Sequence, residues 1–208
     1  MHALQSLPVT YRIAGTLDLT KDRRALLIIN VAGFALMIGF GWLFLQAAMW
    51  MRPADVGIGL TFEINGFTGG LEMLLGALVV TAVVIILHEA AHGLFFWIYT
   101  HSRPVFAYRI YYAYASAPGW YLPRNQYLIT SLAPFVLLTG LGLALLAVLP
   151  PAWFLAVLAF MTFNASGAIG DLVVAIWLIK QPNSCLAQDY GDSIALYLPG
   201  ETTVEIGE

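Results

Sequence analysis

The chain has 208 residues, 60% hydrophobic and 10% charged, whereas soluble domains carry about 25% charged residues; too few polar groups are present to cover a water-facing surface. The formal charge of −3 includes no basic excess and excludes a nucleic-acid partner of the usual electrostatic kind. Cys185 is the single cysteine, which excludes an intramolecular disulfide and a multi-cysteine metal site.

Four apolar stretches reach the roughly 20 helical residues needed to cross a bilayer; they cover about 25–51, 70–100, 127–149 and 152–179. The first exceeds the apolar core of a signal peptide and lacks a clear small-residue cleavage site after it, so it reads as retained. Arg12, Lys21, Arg23 and Arg24 precede span one, Arg103, Arg109 and Arg124 lie between spans two and three, and Lys180 follows span four; only Arg52 falls on the other side. That bias predicts a multi-pass cell-membrane protein with both termini cytoplasmic. The expected architecture is an all-α integral membrane protein: four transmembrane helices in a single membrane domain over 1–208, embedded in the lipid bilayer.

Span two contains "IILHEAAHGLFF". Positions i and i+4 share a helix face, so His88 and His92 can hold one Zn²⁺ while Glu89 sits beside a water at that ion. Intramembrane ionisable groups are rare and mostly functional, which makes two histidines that merely hydrogen-bond across a helix interface the weaker reading.

Residues 103–126, "RPVFAYRIYYAYASAPGWYLPRNQ", carry Phe106, Tyr108, Tyr111, Tyr112, Tyr114, Trp120 and Tyr121. Partial alternation followed by Pro118-Gly119 predicts a short β-hairpin or re-entrant element between spans two and three. Its edge could hold an extended peptide by strand addition; an interfacial aromatic belt is the plainer alternative. Pro150-Pro151 predicts a tight turn between spans three and four.

A catalytic zinc site takes three protein ligands. The positions that would carry Gly and His in metzincins hold Phe95 and Ile98, and no Asp or Glu lies between Glu89 and Asp171. Glu72 and His101 lie on the motif's own span and cannot fold back onto it. Asp171, in "FNASGAIGDLVV", remains. His88 and Asp171 both fall roughly 27–28 Å from the outer end of their spans at 1.5 Å per residue, which places them at one level toward the cytoplasm. Ser166, Gly167 and Gly170, with Ala90, Ala91 and Gly93, offer small faces for close helix approach. Asn164, seven residues before Asp171, returns to nearly the same face and could donate to a substrate carbonyl or oxyanion, or to a neighbouring helix. The tail beyond Lys180, with Asp189, Asp192, Glu201, Glu205 and Glu208, reads as acidic and solvated; "DSIALYL" could add a strand to the hairpin.

"HEAAHG", "NASGAIGD", the "PFVLL" of span three and the "QDYGD" after span four resemble the small membrane proteins grouped as putative zincin peptidases, over roughly 70–195. More distantly, the pattern is similar to site-two-type intramembrane metalloproteases. The resemblance implies His88, His92 and Asp171 as zinc ligands, Glu89 as general base and Asn164 as the upstream asparagine. The chain departs from the site-two pattern in having Gly170-Asp171-Leu172 around the ligand and no proline between Asn164 and Asp171.

The expected function is a zinc-dependent membrane metalloprotease that hydrolyses peptide bonds of a peptide or transmembrane-protein substrate near the cytoplasmic face. The alternative is a non-catalytic metal-binding scaffold or transporter subunit.

Overall fold

The computed structural model describes residues 2–18, 23–60, 66–109, 112–191 and 193–200. Lys21, Tyr111, Asp192, Glu201, Glu205 and Glu208 lie outside the described residues. Helix predominates. Helices α1 (Arg23–Met51), α3 (Gly66–Thr100) and α4 (Arg124–Val148) are long and apolar enough to cross a membrane, and a bent pair, α5 (Phe154–Gly167) and α6 (Ile169–Ile179), makes a possible fourth. Short α2 (Pro53–Gly59) starts with proline, whose missing N–H costs nothing in a first helical turn.

The sequence predicts one unbroken span over 152–179, but α5 and α6 meet at 44°. The N–H of Ala168 still closes α5 on the Asn164 carbonyl at 3.0 Å. Gly167 and Gly170 flank the break, and glycine is a weak helix former. The break puts Asp171 in the first turn of α6, where the helix dipole favours negative charge.

The described chain divides into two compact units. One comprises Leu27–Ala91 and Ala133–Asp171. Its core gathers Phe44, Leu146, Phe154, Val157 and Met161. Gly142 lies where any Cβ would collide with the Met161 side chain, so a glycine is what allows that approach. Arg52 donates to the carbonyls of Leu146 and Leu149 at 3.3 and 2.5 Å, pairs with Asp55 at 2.6 Å and lies 5.0 Å over the Phe154 ring. That cation therefore answers carbonyls at the C-terminal end of α4. Outward positions of α1 such as Ile38 and Trp42 are apolar and exposed. Such area costs about 25 cal/mol per Å² in water and nothing comparable in hydrocarbon.

The other unit comprises Met1–Leu26, His92–Leu132 and Leu172–Glu208. It holds the predicted hairpin, β2 (Val105–Arg109) paired antiparallel with β3 (Tyr112–Ser116) from Val105↔Ser116 to Arg109↔Tyr112. It also holds a sheet that an all-α description misses: β1 (Tyr11–Asp18), β6 (Ser193–Pro199), β5 (Leu186–Asp189) and β4 (Tyr121–Pro123), in the order β1-β6-β5-β4, all antiparallel. The "SIALYL" stretch thus pairs with β1 and β5 rather than with the hairpin. Phe96, Leu122, Tyr127, Leu178, Cys185 and Leu196 form this unit's core. Gly93 of α3 leaves room that the Phe106 ring of β2 occupies. Asp189, expected to be solvated, is buried: it accepts from the Tyr127 hydroxyl at 2.6 Å and from the N–H of Gly191, a turn residue at φ +89°, at 2.5 Å. Two donors offset the desolvation that would otherwise keep the carboxylate at the surface.

Candidate metal centre

The two histidines sit one turn apart on α3, within a continuous apolar run. The helix ends at His101, whose N–H reaches the Trp97 carbonyl at 2.8 Å and whose φ of +52° is left-handed, a helix-stopping conformation. His101 is therefore a helix end and Glu72 an exposed residue near the helix start; neither belongs to the cluster.

His88, His92 and Asp171 do converge. Each offers one ligand atom, and the three atoms lie within 4.8 Å of one another. Glu89 follows His88 on α3 and is half-buried. His88 Nε2 is 3.0 Å from Asp171 Oδ2, and His88 Nδ1 is 3.1 Å from Asn164 Oδ1. His92 Nδ1 is 2.9 Å from the backbone carbonyl of Thr130.

The protonation pattern can be deduced from one carbonyl. Asn164, with no exposed surface, donates from Nδ2 to the Pro134 carbonyl at 3.2 Å. A carbonyl only accepts, so the amide nitrogen faces Pro134 and the amide oxygen faces His88. His88 Nδ1 then carries a hydrogen, and Nε2 is the ring nitrogen that faces Asp171. The Thr130 carbonyl fixes His92 in the same tautomer. Both imidazoles therefore present Nε2, with Nδ1–H bound to an oxygen, the arrangement that orients metal-ligating histidines.

The donor set fits zinc. Nε2 of His88 faces a carboxylate oxygen at 3.0 Å, a pairing satisfied by a proton on the nitrogen or by a metal ion shared between the two atoms. Tetrahedral zinc holds N and O ligands at about 2.0–2.2 Å, hence roughly 3.4 Å from one another, and the three ligand atoms lie within 4.8 Å of one another. Two nitrogens and one carboxylate would leave a tetrahedral ion one further position.

Sequence reasoning names all three residues of the cluster and Asn164, but not the carbonyls of Thr130 and Pro134, which have no side-chain signature. The available signal is Pro134 itself, a proline within an apolar helix.

Neither the search of curated proteins nor that of solved structures finds a match. A family model described as "Putative zincin peptidase" matches residues 81–186, just over half of the chain, and its span includes His88, Glu89, His92, Asn164 and Asp171. The histidine pair and the downstream acid thus lie within the matched segment, and the chain belongs to the putative zincin peptidase family.

Proposed function

We propose that the chain is a zinc-dependent, membrane-embedded metallopeptidase that hydrolyses peptide bonds near the cytoplasmic face of the cell membrane. The observation that carries this reading is the convergence of His88, His92 and Asp171 within 4.8 Å on otherwise apolar helices. Ionisable groups in such helices are rare and mostly mark function. The excess of Lys and Arg on one side supports cytoplasmic termini.

A zinc ion held by these residues supplies Lewis acidity toward water and a peptide carbonyl. Glu89 takes the proton of the attacking water and returns it to the leaving amine. His88 and His92 keep their Nε2 lone pairs available because each Nδ1–H is committed to an oxygen. Asn164 is enclosed between His88 and Pro134, so in this reading it orients a ligand rather than touching substrate. The substrate class is a peptide segment, either soluble or part of a membrane protein, that enters by a water-accessible path from the cytoplasm.

Glu89→Gln tests the reading. The variant should retain the wild-type zinc content and lose hydrolysis of a quenched fluorescent unfolded protein by about 100-fold or more. Zinc retention with no difference in hydrolysis between variant and wild type would leave a metal-binding scaffold instead.

A further inference from the structure

The PFVLL segment contributes no group to the ligand cluster, yet Pro134 is linked to both of its histidines, to His88 through Asn164 and to His92 through Thr130 one turn earlier. In an α-helix the carbonyl of residue i accepts from the N–H of residue i+4. Proline has no N–H, so Pro134 removes the helical donor that would close onto the Thr130 carbonyl. That carbonyl is the oxygen that holds His92 Nδ1, at 2.9 Å. The carbonyl of Pro134 itself accepts from Asn164 Nδ2 at 3.2 Å, and Asn164 Oδ1 holds His88 Nδ1 at 3.1 Å. Two oxygens one helical turn apart on α4 therefore set the tautomers of two imidazoles one turn apart on α3. Pro134 is fully buried, so no water competes for these groups from its side.

We propose that Pro134 is a positioning residue for the metal centre: its missing N–H reserves the Thr130 carbonyl for His92, while its own carbonyl orients His88 through Asn164. A helix-interior proline is costly in a span that needs every backbone group satisfied. The His92 ring N–H replaces the bond that proline removes, so the helix defect and the ligand's support are one feature. The inference rests on the metal-site reading and is independent of peptidase activity.

The test is zinc affinity by competition with a chromogenic chelator, with the absorption spectrum of the cobalt(II) form as a second readout. The full chain in detergent is compared with Pro134→Ala and with a chain carrying at position 134 the α-hydroxy analogue of alanine. Alanine restores the N–H that competes for the Thr130 carbonyl; the hydroxy analogue has alanine's side chain but no N–H. Pro134→Ala should lower zinc affinity by about 10-fold or more and alter the cobalt spectrum. The hydroxy analogue should retain an affinity within about threefold of wild type, a result that stands even if the alanine variant folds poorly. Unchanged affinity in Pro134→Ala, or equal loss in both variants, would overturn the proposal while leaving the metal site intact. A wild-type chain that binds no zinc would overturn both.

Discussion

His88 and Asp171, 83 residues apart in sequence, face each other with Nε2 and Oδ2 at 3.0 Å. Because the Asn164 amide engages the opposite ring nitrogen, Nε2 is the atom left to hold a proton or a metal ion beside the carboxylate. His92, one turn further along α3, supplies a third donor to the same cluster. Backbone and amide oxygens thus stand behind both histidines of the cluster.

Asn164→Leu removes the amide that joins His88 to Pro134. The loss leaves a buried ring N–H and a buried carbonyl without that partner, which costs about 1–3 kcal/mol. Zinc affinity should fall about 10–100-fold, as expected when a ligand's supporting hydrogen bond is removed. Chelator competition and thermal unfolding, measured together, separate the two effects. Asn164→Asp, which keeps an acceptor toward His88, should lose less affinity than the leucine variant.

The accepting role of these oxygens also explains what could be read from the sequence. The histidine pair was legible because i and i+4 share a helix face, and Asp171 because no other acid follows Glu89 until span four. The β2–β3 hairpin was legible from its alternation, whereas Pro118-Gly119, read as part of the same signal, lies after β3 and leads into β4 of the other sheet. The larger sheet was not: it pairs Tyr11 with Pro199 and Tyr121 with Gln188, and no local pattern encodes partners so far apart. The bend at Ala168 was hidden because Gly167 and Gly170 also serve close helix packing, which has the same composition. The Thr130 carbonyl was hidden because every residue has one.

Gly93→Ala should destabilise the unit that contains the hairpin. The added Cβ would occupy space filled by the Phe106 ring, and overpacking of this kind costs about 1–3 kcal/mol. Limited proteolysis should cut the 101–117 region faster in the variant, with zinc content retained.

Tyr127→Phe removes the hydroxyl that donates to Asp189 Oδ2 at 2.6 Å. A hydrogen bond to a charged, buried acceptor contributes about 1.5–3 kcal/mol, so the melting temperature should fall. Asp189→Asn in the Tyr127→Phe background should cost less than Asp189→Asn alone, which a double-mutant cycle would measure.

Burial pushes the Cys185 thiol above its ordinary range, against weaker opposition from a backbone hydrogen bond with Tyr197 and the Arg124 guanidinium. A raised folded-state pKa means that this thiol's contribution to stability is complete below the unfolded value and is lost as pH rises through the folded one. Stability should therefore decline from about pH 9 upward, where the unfolded thiolate forms first. Cys185→Ser should flatten that decline in pH-dependent unfolding. Alkylation of the native chain by iodoacetamide at pH 8 should be far slower than that of the unfolded chain.

In the reading proposed above, two helical segments, 88–92 and the start of α6, share one metal ion. That sharing is tested most directly by the zinc content of the chain purified in mild detergent and reconstituted with zinc, beside Asp171→Ala and His88→Ala. About one zinc per chain is expected in the wild type, with a sharp reduction in both variants. A wild-type chain without zinc, or an Asp171→Ala variant that holds zinc as tightly as the wild type, would contradict it.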